Sequence, residues 1–193
     1  MEIVAEIAIW ICWGVVVVIW IGGAIYGARH GPSQRQGRRS GALWRLGSVA
    51  AVVLVYRFAR HDLRRVTDHS GWIELPGLAL LVASTAFAIW ARLGLGRMWS
   101  ASPNVLQPHH ELRTDGPYQI TRHPIYAGLF GMLLGTVLLD GLGTSLTLLV
   151  VGSAVLATRI LIEERLMSET FPDEYARYRE RVPLVPGLRL FRR

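Results

Sequence analysis

Residues 109–128 read His-His-Glu-Leu-Arg-Thr-Asp-Gly-Pro-Tyr-Gln-Ile-Thr-Arg-His-Pro-Ile-Tyr-Ala-Gly, and a second polar cluster, Arg159-Ile-Leu-Ile-Glu163-Glu164-Arg165-Leu166, follows a long apolar stretch. Imidazoles and carboxylates can move protons. Arginines can hold a carboxylate or phosphate through paired N–H donors. Metal chemistry fits less well, because His109, His110 and His123 have no carboxylate at helical spacing to complete a ligand set. Phosphate-cradling Gly-rich loops and Ser or Cys nucleophile motifs are missing. Cys12 is the single cysteine, which excludes an internal disulfide and paired-cysteine zinc sites.

These side chains need elements to position them. Gly116-Pro117 sets a turn, and Pro124 suits the first position of a helix. Arg122 and His123 then fall at that helix's N-terminal mouth, where free N–H groups favour an anion. Tyr126 lies one turn inside and can face the same pocket, and Gly128 lets something approach the helix wall. On residue types alone, Arg122, His123 and Tyr126 could equally be ordinary interfacial residues. In the second cluster Arg159 and Glu163 are four apart, hence on one helix face. Arg159 still lies within the apolar run, a depth at which an ionisable group points to function. Beyond it, residues 171–183 read as a short amphipathic helix. Phe171, Tyr175 and Tyr178 share one stripe, so this helix is expected to lie on the membrane interface and close over the site.

Of the 193 residues 51% are hydrophobic and 18% charged, which excludes general disorder. The 21 basic residues are all Arg and outnumber 14 acidic ones, for a net charge of +7. Uncharged runs occupy residues 7–28, 47–56, 75–91, 124–139 and 141–158. The first is about 33 Å long as a helix, enough to cross a hydrocarbon core of ~30 Å. It lacks the basic start and small-residue cleavage site of a signal peptide. Five such runs leave too little polar surface to cover them in water. The expected fold is therefore all-α: one multi-pass membrane domain over 1–193, with about five transmembrane helices. Three spans lie in 1–94, and a catalytic region with a cofactor loop, a helical hairpin and the interfacial helix fills 95–193. Arginines crowd the first loop, the third loop and the tail, which places those regions in the cytoplasm by the positive-inside rule. Arg57, Arg60, Arg64 and Arg65 in the second loop run against that count. The arginines of the first loop are explained by topology and anionic lipid rather than by nucleic acid. Gly23 with Gly27, and Gly131 with Gly135, have the spacing that lets helices approach closely.

His110-x-Leu112, Gly116-Pro117-Tyr118, Arg122-His123-Pro124-x-Tyr126-x-Gly128, Glu163-Glu164 and Phe171-x-x-Glu174-Tyr175-x-x-Tyr178 occur in the order and spacing of a known family. Over residues 95–187 the chain resembles the isoprenylcysteine carboxyl methyltransferases and the related membrane phospholipid methyltransferases. The resemblance implies an integral-membrane helical enzyme that binds S-adenosylmethionine on the cytoplasmic side and admits a lipidic acceptor from the bilayer. It implies cofactor contacts by His110, Glu111, Leu112, Arg113, Tyr118, His123, Pro124, Ile125, Tyr126 and Glu163. Arg159 would hold the acceptor, as an arginine does in the carboxyl-methylating members. Glu164 joins Arg159 as a catalytic candidate, since an amine acceptor would require a base such as Glu164 or His123. The expected partners are the lipidic acceptor and membrane lipids, with no metal and no nucleic acid, and the expected setting is a prokaryotic cell membrane. Phospholipid N-methylation is the alternative within the family. An NADPH-dependent membrane reductase of the sterol type, which shares a His-Pro-x-Tyr element, and a non-enzymatic membrane protein are the alternatives outside it.

Overall fold

The computed structural model describes residues 2–30, 71–95, 112–141 and 144–184. Five α-helices and one 3-10 helix account for most of them, and no strand occurs among the described residues. The helices are α1 (Glu2–His30), α2 (Gly71–Leu95), α3 (Pro124–Asp140), α4 (Thr144–Thr170) and α5 (Pro172–Arg181), with the 3-10 helix at Gly116–Gln119.

Ile3–Gly23, Ile73–Leu95 and Ser145–Thr170 are long and apolar enough to cross a membrane, and α3 is a shorter apolar helix. Large apolar side chains such as Trp10, Val18, Leu75, Val150 and Leu161 stand exposed on the outside of these helices. Such an exterior suits lipid, where only a backbone satisfied within each helix is tolerated. Four of the five expected spans thus appear as helices, and the fifth (47–56) falls outside the described residues. The chain is an integral-membrane helical protein.

The helix pair α2–α3 forms the frame, and α1 and α4 flank it. Small residues set the α2–α3 separation. A Cβ added at Gly128 would meet the backbone of Ala88 at 2.9 Å, and one at Gly135 would meet the backbone nitrogen of Leu81 at 2.8 Å. The object that approaches the helix wall at Gly128 is therefore α2 itself. The Gly131 and Gly135 spacing serves the same contact within the chain. Ala5, Cys12, Val16, Leu81, Met132 and Leu139 make the apolar core, and the Trp13 indole donates to Thr136 Oγ1 at 3.1 Å to tie α1 to α3.

Helix lengths place the site. α3 has 17 residues, so it is about 25 Å long and falls short of a hydrocarbon core of ~30 Å. α4 has 27, so it is about 40 Å long and continues past the N-terminal end of α3. The apolar run ends near Thr158, yet the helix continues to Thr170 and carries Arg159, Glu163 and Glu164 alongside the start of α3.

Candidate active site

The site grows from the segment that precedes α3. Gly116 adopts φ +56°, open to glycine at little cost, and starts the 3-10 helix that buries Pro117 and Tyr118. The Tyr118 hydroxyl donates to the Ala91 carbonyl of α2 at 3.4 Å. Its acidity is pushed down, so its pKa rises, chiefly because burial disfavours the phenolate. Next comes Thr121, fully buried, whose hydroxyl donates to the Leu184 carbonyl at 2.6 Å, while the Arg122 N–H donates to the Pro183 carbonyl at 3.0 Å. The segment after α5 is thereby strapped onto the entry to α3. His123 is the N-cap residue, and Pro124 follows within the first turn, where no N–H is needed.

Two carboxylates from α4 meet this entry. Glu164 Oε2 accepts from Arg122 Nη1 at 2.5 Å, and Glu164 Oε1 lies 2.8 Å from His123 Nε2. The Tyr175 hydroxyl of α5 donates to Glu164 Oε1, and Arg179 Nε stands 3.8 Å from Oε2. The Arg122 and Glu164 side chains are only 10% and 16% exposed. Glu163 points elsewhere. It accepts from the Tyr126 hydroxyl, its Oε2 lies 3.6 Å from His123 Nδ1, and its side chain keeps 30% exposure. His123 thus sits between the two carboxylates, stacked on Tyr126 with ring centroids 5.9 Å apart. Burial pushes the His123 pKa down, but its contacts with Glu163 and Glu164 outweigh this and hold the ring above its ordinary range. The anion expected at the mouth of α3 is supplied by the protein's own glutamates.

Tyr175 and Tyr178 of α5 are buried with Val182, and Leu112, Met167 and Phe171 pack against them. The Tyr178 hydroxyl donates to the Tyr118 carbonyl at 2.6 Å. The stripe noted in the sequence therefore faces the protein and covers the site.

Leu112, Arg113, Tyr118, His123, Pro124, Ile125, Tyr126, Glu163 and Glu164 all fall at this one end of the bundle, where Arg113 pairs with Asp115 at 2.7 Å. Arg159 precedes Glu163 by one turn on the same face of α4. His110 and Glu111 lie outside the described residues. Arg122 was expected at the mouth of α3 and Tyr175 and Tyr178 on the covering stripe, and each has a partner there, whereas Arg179 was not among the expected site residues.

A model of the phospholipid methyltransferase family matches residues 72–174, from the start of α2 into α5. The chain belongs to the phospholipid methyltransferase family. Its similar relatives include protein-S-isoprenylcysteine O-methyltransferase B of Arabidopsis thaliana, 32% identical over 114 residues that make up 58% of each chain. The nickel-cobalt-cadmium resistance protein NccN of Alcaligenes xylosoxydans xylosoxydans is also 32% identical, over 78% of this chain and 66% of that protein. A solved structure of a eukaryotic intramembrane Ras methyltransferase, isoprenylcysteine carboxyl methyltransferase, aligns with a TM-score of 0.56 at 19% identity. That alignment covers 81% of this chain and 55% of the eukaryotic one, and at this identity the likeness is one of fold. The chain spans a little over half to two thirds of the length of these proteins. The family resemblance drawn from the motifs holds, and the matched region includes α2, the entry to α3 and the Glu163–Glu164 pair of this phospholipid methyltransferase family member.

Proposed function

We propose that the protein is a membrane methyltransferase that uses S-adenosylmethionine to O-methylate the carboxylate of a lipidic acceptor, isoprenylcysteine-like or another amphiphilic acid. Family membership and the isoprenylcysteine O-methyltransferase among the relatives support methyl transfer. The observation that carries the choice of acceptor is that the two candidate bases are already engaged. Glu164 accepts from Arg122 and Tyr175 and lies against His123 Nε2, and each ring nitrogen of His123 already faces a carboxylate, Glu164 at 2.8 Å and Glu163 at 3.6 Å. Neither is free to take a proton. An amine acceptor must lose one before it can attack, whereas a carboxylate is ionised at neutral pH and needs no base. Glu164, a catalytic candidate by its sequence, is on this reading a positioning residue that fixes Arg122, His123 and α5.

The residues present suit the cofactor. Glu163 is the half-open carboxylate of the pair and lies against the Tyr126 hydroxyl, an arrangement matched to a cationic group. The cofactor supplies a methyl group already activated on a sulfonium. Glu163 and Tyr126 hold its positive groups, with Leu112, Arg113, Tyr118, His123, Pro124 and Ile125 around them. His110 and Glu111 belong to the same proposed set. Arg159, one turn away on the Glu163 face, orients the acceptor carboxylate through paired N–H donors. Tyr175 and Tyr178 cover the site and keep water out. Holding two reactants in line in this way can lower a barrier by about 7–11 kcal/mol.

Calorimetry on detergent-purified protein with S-adenosylmethionine, S-adenosylhomocysteine and NADPH tests the cofactor. Binding of the first two alone is expected, and binding of NADPH alone points to the reductase. Incubation with membrane extracts and methyl-labelled cofactor tests the acceptor. The label is expected as a methyl ester that base releases as methanol, and a base-stable N-methyl label overturns the carboxylate reading.

A further inference from the structure

On the flank of α4 away from Glu163 lies a cavity of about 350 Å³ that the methyl-transfer reading does not use. Arg122, Arg165 and Arg179 line it together with Glu164 and Ser168, and Ile160, Leu161 and Leu184 form its apolar side. Three guanidinium groups face one carboxylate, and that carboxylate is taken up by Arg122, His123 and Tyr175. The Ser168 hydroxyl donates to the Glu164 carbonyl, which leaves the arginines as the donors for a ligand. Arg122 is nine-tenths buried, and its Nε–H has no acceptor. Arg165 reaches Glu169 at 2.8 Å on the surface, and Arg179 is 54% exposed. Below this ring Leu161 is 70% exposed on a membrane span. Cationic forks above an apolar, lipid-facing wall match a molecule with an anionic head and hydrocarbon chains.

We propose that this cavity binds the phosphodiester headgroup of an anionic membrane phospholipid, as a resident lipid and not as the methyl acceptor. Its chains lie along Ile160 and Leu161, and its phosphate meets Arg165 and Arg179, with Arg122 behind. The bound lipid joins α4 to the segment after α5 through Leu184, on the opposite side of Glu164 from the methyl-transfer site. The proposal stands whether or not the protein transfers methyl groups.

Native mass spectrometry of the full chain with dioleoyl phosphatidylglycerol or dioleoyl phosphatidylcholine at equal concentration is the test. Phosphatidylglycerol adducts are expected to dominate. The double variant Arg165→Gln/Arg179→Gln is expected to lose about tenfold or more of that preference, the effect of two basic residues beside an anionic headgroup. Both residues are more than half exposed, so the variant is expected to keep its thermal midpoint, and Arg165→Gln alone gives a partial loss. Excess inorganic phosphate and S-adenosylhomocysteine are expected to leave the adducts in place. Equal adducts of the two lipids, or an unchanged preference in both variants, overturn the proposal. Displacement by inorganic phosphate reassigns the cavity to a small free anion, and displacement by S-adenosylhomocysteine reassigns it to the cofactor.

Discussion

Glu163 and Glu164 are neighbours in sequence with different surroundings, because consecutive helix residues point about 100° apart. Glu164 ties Arg122, His123 and Tyr175 together in a nearly closed spot. Removing one member of such a cluster leaves a buried charge without its partner, which typically costs about 3–5 kcal/mol. Glu164→Ala is therefore expected to unfold much more readily than the parent, as read by thermal unfolding in detergent. Glu163→Ala is expected to keep the fold and to weaken S-adenosylmethionine binding about tenfold or more, since a charge-assisted hydrogen bond is typically worth ~1.5–3 kcal/mol; unchanged affinity in calorimetry removes Glu163 from the site. Arg159→Ala is expected to lose turnover while cofactor affinity stays, and a variant with normal turnover refutes the assigned role. His123 gives a pH signature. Its pKa is raised above the ordinary 6.5, so the stability from its charged ring is complete below that value and is lost as pH climbs through the raised one. The thermal midpoint of the parent is expected to fall across that alkaline window, and that of His123→Gln to stay flatter; parallel profiles end the argument for a charged ring.

Element lengths and close packing convert these side chains into a site. The end of the long α4 lies against the beginning of the short α3, where Glu163 and Glu164 meet Tyr126, Arg122 and His123. The overlap depends on α3 being held against α2, where Gly128 and Gly135 admit the opposing backbone. Gly135→Leu forces a side chain against the Leu81 backbone and is expected to destabilise by about 1–3 kcal/mol or more. Gly14→Ala meets nothing within 4 Å and is expected to be neutral or slightly stabilising, since alanine is the better helix former. Equal thermal midpoints for the two variants contradict this account of the α2–α3 contact. Covering the overlap, α5 attaches by the Tyr175 and Tyr178 hydroxyls and by the strap from residues 183 and 184 to Thr121 and Arg122.

Across the whole molecule, Asp140 lies at one end of α3 and the candidate site at the other. The arginine-rich end is expected in the cytoplasm. With Cys12 replaced by Ala, Asp140→Cys is expected to react with an impermeant maleimide from outside intact cells. Arg177→Cys is expected to react only after permeabilisation, and the reverse pattern inverts the orientation. The sequence alone determined the helical membrane class, because an unbroken apolar run of span length has few other stable solutions. It determined the start of α3 as well, because Pro124 at a helix entry is a local signal. The family followed from motifs whose order and spacing survive without coordinates. Which glutamate faces which partner was decided only by tertiary structure. The angle of α4 against α3 fixes it, and residue types four positions apart leave that angle open. The same holds for Gly128, whose missing side chain left open what approaches until α2 was seen there, and for Tyr175 and Tyr178, whose stripe could have faced the membrane until the buried carboxylate and the Tyr118 carbonyl gave their hydroxyls partners inside.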